Sequence, residues 1–316
     1  MSRAQLTSTV EQNTGGAVSP YVAGKNKIIN GDFGIWQRGT SFSGVGYTAD
    51  RFDAIWDGSG TRAMSQQTFT AGTAPVAGYE GTYFLRYAQT VGGTGASYSV
   101  VRQKIEDVRT FAGQTVTLSF WLKADSNRTI PASALQQDFG SGGSGGVTTV
   151  AASTIAATTS WQRFSFTIAV PSISGKTIGS GSNLQAQIFL PINTTFTVDI
   201  WGVQVEAGPV ATPFTTATGT LSGELAACQR YYISNGQVVT WQGNTTSASS
   251  YIQTVTFPVT MRTAPTIAVT NYSASNFSAS PSSGTATTGG FLGVNSATAT
   301  ASAAYYQFTY IASAEL

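Results

Sequence analysis

The chain has 316 residues, with 16 basic and 14 acidic side chains, no histidine and one cysteine. Its charged fraction of 9% is far below the roughly one quarter of an average soluble protein, yet 17 Phe, 13 Tyr and 6 Trp exclude a disordered chain. The missing histidine excludes Ser-His-Asp and Cys-His nucleophiles, His-ligated metals and an imidazole base, and a lone Cys228 excludes an intramolecular disulfide. Cys228 reads as a small buried hydrophobe.

In chain order, residues 1–25 come first: polar, small and aperiodic, with Gly15, Gly16 and Pro20. They read as an extended arm that orders only on a partner. The arm carries no apolar h-region, so export by a cleaved signal is not expected, and no run reaches the ~18 apolar residues of a membrane span. Basic residues are scattered, which argues against a nucleic-acid surface.

From Asn26 the pattern becomes short alternating runs between Gly, Ser and Thr turns, which predicts an all-β protein. In TVTLSFWLK, Val116, Leu118, Phe120 and Leu122 point one way and Thr117, Ser119, Trp121 and Lys123 the other. RFSFTIAV repeats this with Phe164, Phe166, Ile168 and Val170, and LQAQIFL with Leu184, Ala186, Ile188 and Leu190. In FTVDIWGVQVE the phase changes from Phe196, Val198 and Ile200 to Val203 and Val205, predicting a β-bulge at Trp201–Gly202.

Two short helices are expected. One covers Glu106 to Ala112 and closes at Gly113; the other runs from Ser222, as cap, to Tyr232 with Leu221, Leu225, Cys228 and Tyr232 on one face. The organisation expected is an arm (1–25), a jelly-roll β-sandwich (26–210), a connection with the short helix (211–232) and a smaller β-sandwich (233–316). The Gly-rich run FGSGGSGG and the tripeptide Gly175-Lys176-Thr177 lack the context of a phosphate loop and read as turns.

Paired carboxylates are the one catalytic device the composition leaves, and Asp50, Asp53, Asp57 and Asp199 are the candidates, against a reading as turn and ion-pair residues. Asp199 faces away from Phe196, Val198 and Ile200: it is exposed, paired, or a ligand for a hard cation such as calcium together with Asp32 or a backbone carbonyl. Aromatic rings stack on the apolar faces of sugars, which makes Trp36, Trp56, Tyr79, Tyr83 and the off-core Trp121 candidates for carbohydrate binding.

The blocks NKIINGDF, QKIEDVRTFAGQTVTLSFWLKAD, TSWQRFSFTIAVP and FTVDIWGVQVEAG follow in an order that resembles the jelly-roll carbohydrate-binding modules of glycanases. With WQRGTSF, YTADRF and CQRYY, residues 26 to 232 resemble the tail-fibre-like structural proteins of tailed bacteriophages and prophages, and FPVTMRTAPTI resembles their β-rich C-terminal domains. The resemblance implies a jelly roll, a virion protein and a homotrimer, and it places at Asp199 a recurrent acidic position linked to a structural calcium, but it carries no sugar site across. The favoured reading is a non-enzymatic tail fibre whose distal sandwich touches host-surface glycan through exposed aromatics and polar loops. A head or capsid decoration protein is the alternative, and a small glycan depolymerase a third reading. The weakly charged surface agrees with life in an assembly, with residues 1–25 docking on another virion protein.

Overall fold

The computed structural model describes residues 24–76, 79–151, 153–278 and 281–316; most of the expected arm, 1–23, lies outside them. The chain forms two compact units that divide between Glu224 and Leu225, with Leu316 counted in the first.

The first unit contains β1 (Ser41–Phe42), β2 (Gly46–Tyr47), β3 (Phe52–Trp56), β4 (Thr61–Thr68), β5 (Tyr83–Val91), β6 (Ser99–Glu106) and β7 (Thr115–Ala124). It continues with β8 (Arg128–Ile130), β9 (Ala134–Asp138), β10 (Val147–Val150), β11 (Ile155–Ala157), β12 (Gln162–Ala169), β13 (Asn183–Phe189) and β14 (Phe196–Ala207). Two six-stranded antiparallel sheets face each other, ordered β1-β4-β5-β14-β7-β12 and β10-β9-β13-β6-β3-β2. The chain passes repeatedly from one to the other, as in a jelly roll. The alternating apolar residues of β7, β13 and β14 fill the space between, and Leu118, Phe120, Leu122, Leu184, Ile188, Val198 and Ile200 are all buried there.

The register of β14 on β7 jumps between Trp201 and Gln204, where Gly202 has φ 64°. A Cβ on Gly202 would lie 2.6 Å from the Trp121 ring. The bulge keeps Val203 and Val205 in the core after the change of phase and leaves Trp201 opposite Trp121 on the outer face of the sheet.

That outer face is covered. Phe214 packs on Trp121 and Trp201, while Phe69 and Phe84 join them in a second aromatic core. Gln204 accepts from Thr215 N, Glu206 accepts from Thr212 N, and Lys25 pairs with Glu206 at 3.1 Å. Residues 212–216, within the expected connection, therefore lie as a strap across the sheet.

The helix expected over Glu106–Ala112 is a series of turns instead. Asp107 and Phe111 have φ of 66° and 61°, and the Asp107 carboxylate accepts from Arg109 N, so a side-chain turn replaces the helical ladder. The second helix exists as α1 (Leu221–Gln229), but Thr220 caps it by accepting from Gly223 N, and Leu221 is 70% exposed. Its buried positions are Glu224 and Cys228.

The second unit contains β15 (Tyr232–Thr245), β16 (Ser250–Thr256), β17 (Thr266–Ser275), β18 (Ser282–Ser283), β19 (Gly290–Ser296) and β20 (Ala301–Ser313). They form two three-stranded sheets, β15-β20-β17 and β16-β19-β18. Phe257, Phe277, Phe291, Tyr306, Phe308 and Tyr310 make up most of the core between them. The protein is all-β, two antiparallel sandwiches in series.

Candidate functional site

The block Asn26–Phe33 is a loop pinned by its own amides. Asn26 accepts from Ile28 N and Val205 N while donating to Val203 O and Thr215 O. Asn30, at φ 60°, donates to Ile35 O and Asp50 O and accepts from Ile35 N. Gly31 lies so close to β14 that a Cβ would fall 2.2 Å from Val203 O. With both ends fixed and Phe33 in the core, Asp32 is held half-buried in the first unit.

There Asp32 lines a pocket of about 370 Å³ with Gly34, Tyr79, Glu80, Gly81, Thr82, Tyr83 and Leu221. Tyr79 donates its hydroxyl to Asp32 Oδ2 at 2.7 Å, and its ring packs on Trp201 and Phe214. Glu80 accepts from Gly72 N at 2.6 Å. Gly81 rests on the Trp201 indole, whose Nε1 would be 2.7 Å from a Cβ there and which is buried with no acceptor among the described residues. Glu224, from α1, accepts from Asn30 N at 2.6 Å and from Thr218 N and Oγ1.

The site is electronegative. Burial raises the Asp32 carboxyl above its ordinary value, against the opposing hydrogen bonds of Tyr79 and Gly34 N. Burial raises Glu224 likewise, opposed by Asn30 N and Thr218 and reinforced by the charge of Asp32. The Tyr79 hydroxyl is pushed far up by burial and then by Asp32, so it stays a donor. Neither acid has a salt-bridge cation among the described residues. Carboxylate acceptors beside tyrosine rings and an exposed leucine fit an uncharged ligand rich in hydroxyl donors and carrying apolar faces.

Of the sequence candidates, Asp32, Tyr79 and Tyr83 meet in this pocket. The three tryptophans do not. Trp121 is buried beneath Phe214 with the Arg163 guanidinium 4.5 Å above its ring, so the off-core parity of β7 leads into a second core and not to solvent. Trp36 is half-buried against Phe42 and donates to Phe33 O, and Trp56 packs edge-on to Tyr87.

The four acids read as a catalytic pool are structural. Asp53 is bound bidentately by Arg102, Asp57 accepts from Ser97 N and Tyr98 N, and Asp50 holds Gln37 and Arg38. Asp199 is paired, with Arg86 at 2.7 Å and Lys123 at 3.4 Å. Cations already occupy both oxygens of Asp199, which leaves neither for a calcium ion. Among the described residues no group of three or more His, Cys, Asp or Glu that could hold a metal forms at Asp32 or elsewhere. Sequence reasoning missed Glu80, Thr82, Leu221 and Glu224. The first two adjoin Tyr79 and Tyr83, which was a usable signal; the helical members offered none.

No protein-family model matches the chain, and no curated protein matches it. Among solved structures, it is similar to the tailspike protein 4 enzymatically active domain of bacteriophage CBA120, at 15% identity and a TM-score of 0.38. That match covers 60% of this chain and 22% of that one. A family 11 carbohydrate-binding module from Clostridium thermocellum matches at 12% identity and 0.33, covering 53% of this chain and 95% of that one. A xylan-binding domain from Paenibacillus barcinonensis matches at 12% and 0.34, covering 60% and 98%. At such values none of them transfers a ligand or an activity to this chain.

Proposed function

We propose that the protein is a non-enzymatic virion component of a tailed phage, a tail fibre or fibre-like appendage, that associates as a homotrimer and touches host-surface glycan through the Asp32–Tyr79–Tyr83 pocket. The observation that carries the glycan reading is the pocket itself. Two segments distant in sequence, the loop at Asp32 and the run Tyr79–Tyr83, converge there, and its acceptors and rings are the two kinds of group a sugar needs. The virion reading is supported by the ordered sequence blocks from Asn26 to Tyr232 and by the low charge of the whole chain.

Calorimetry of the full chain against purified host polysaccharides tests the pocket. Tyr83→Ala should weaken binding about tenfold, or ~1.4 kcal/mol, with the thermal transitions unchanged. Asp32→Asn should do the same, because a pocket acceptor becomes partly a donor. Unchanged affinity in both variants, or no binding to any polysaccharide, defeats the glycan reading. New reducing ends during incubation would make the protein an enzyme. Antibody labelling of intact particles separates a fibre from a head decoration protein, and deletion of residues 1–25 should abolish incorporation while folding persists.

A further inference from the structure

Under the strap of the first unit, four reactive side chains meet away from the pocket: Lys25, Gln204, Glu206 and Thr212. Gln204 and Glu206 lie two residues apart on β14, so both project from the outer face of the sheet. The strap covers them, and both are 0% exposed. Lys25 reaches the same spot with 17% of its side chain exposed, and Arg163 steadies the strap above by donating to Thr212 O.

The Glu206 carboxylate divides its two oxygens between an amine and an amide. Oε2 pairs with Lys25 Nζ at 3.1 Å and accepts from Thr212 Oγ1 at 2.7 Å, while Oε1 accepts from Gln204 Nε2 at 2.6 Å. Thr212 Oγ1 touches both nitrogens: it accepts from Lys25 Nζ, and from Gln204 Nε2 at 3.3 Å. The oxygen of the same amide, Gln204 Oε1, accepts from Thr215 N at 3.0 Å.

A primary amine, a carboxamide, a carboxylate between them and an N–H on the amide oxygen are the parts of an acyl transfer. The amine is the nucleophile, the carboxylate takes its proton, and the N–H holds the charge that develops on oxygen. Burial keeps water from competing for the acyl carbon, and holding the groups together replaces an encounter in solution. A structural ion pair needs only Lys25 and Glu206.

We propose that Lys25 and Gln204 join in an intramolecular isopeptide bond, formed once by the folded chain on itself. Glu206 Oε2 takes one proton from the Lys25 ammonium, and the free amine attacks Gln204 Cδ. Negative charge gathers on Gln204 Oε1 against Thr215 N. Thr212 Oγ1 relays a second proton from Nζ to Nε2, the Cδ–Nε2 bond breaks, and ammonia leaves with the proton held on Glu206. One amide replaces another, so the step needs no oxidant, metal or activated donor. The bond ties Lys25 to an interior strand of its sheet, so that a pull on residues 1–24 is borne covalently by β14. It is independent of the glycan pocket.

Intact-mass spectrometry of the denatured full chain tests this. The wild type should be lighter than its sequence mass by one ammonia, and digestion should yield a peptide in which Lys25 is linked to Gln204. Lys25→Arg keeps a cation beside Glu206 without the amine, and should return to the full sequence mass with its thermal transitions retained. Glu206→Gln should slow formation about a hundredfold. The linked peptide is sought in the wild type itself, so a variant that fails to fold leaves the test intact. A folded wild type at full sequence mass, without that peptide, overturns the proposal. Ammonia loss that persists in Lys25→Arg lies elsewhere, and loss that hydroxylamine reverses is a Thr212–Gln204 ester; either overturns it as well.

Discussion

The two units are both antiparallel sandwiches with aromatic cores, yet they handle charge in opposite ways. The first buries ionic groups and pairs them: Asp53 with Arg102, Asp199 with Arg86 and Lys123, Glu206 with Lys25. The second contains three ionisable Lys, Arg, Asp or Glu residues in all, Arg230, Arg262 and Glu315. A buried ion pair adds little net stability but fixes one arrangement, since removing either partner strands a charge. The first unit thus uses charge to specify its folds and loops, and the second relies on steric fit of rings and glycines. Low overall charge in this chain is therefore not uniform: it is concentrated in the second unit.

The largest effect that would break this comparison is in the first unit. Trp201→Ala should cost about 3–5 kcal/mol, because Trp201 joins the strap, the pocket floor and β7. Calorimetry should show the transition of the first unit falling while that of the second stays in place; equal movement of both would deny their independence. Next, Arg102→Ala should cost about 3 kcal/mol by leaving Asp53 buried and unpaired, against roughly 0.5 kcal/mol or less for the exposed Thr240→Ala on the second unit. In the second unit the sensitive test is Gly293→Ala, whose Cβ would meet Phe308 at 2.4 Å, with an expected loss of about 1–3 kcal/mol in urea unfolding.

The smallest effects are those of pH, and they differ in sign. In the first unit Asp32 and Glu224 are raised by burial in the folded state, so their contribution is complete below the unfolded carboxyl values and declines as pH rises through the raised ones. Glu206, whose burial is outweighed by hydrogen bonds from Thr212, Gln204 and Lys25, is lowered, and its contribution is lost as pH falls. The first unit should therefore be most stable at mildly acid pH. The second should weaken on the alkaline side, from the ordinary tyrosine value of 10.0 through that of Tyr306, raised by burial to about 12. A pH-stability curve of equal shape for both units would contradict the charge argument.

Much of the fold was legible because period-2 alternation reports which side of a strand is buried. The bulge at Trp201–Gly202 was legible for the same reason: a core strand that changes parity must insert a residue. Alternation says nothing of what covers the other side. Trp121 was on the off-core parity of β7, as expected, but the strap at 212–216 makes that side a second interior. The helix misled in the converse way, since Leu221 and Leu225 follow a helical stripe and are left exposed while Glu224 is buried by its hydrogen bonds to Asn30 and Thr218.

The sequence by itself determined the all-β class, the in-facing residues of the main strands, the bulge and the absence of histidine chemistry, because each depends on composition or on local periodicity. Tertiary structure alone decided that Asp32, Tyr79, Tyr83 and Leu221 share one pocket and that Asp50, Asp53, Asp57 and Asp199 serve as structural partners. Those are contacts between segments far apart in the chain, and no local pattern encodes which distant loop a strand will meet.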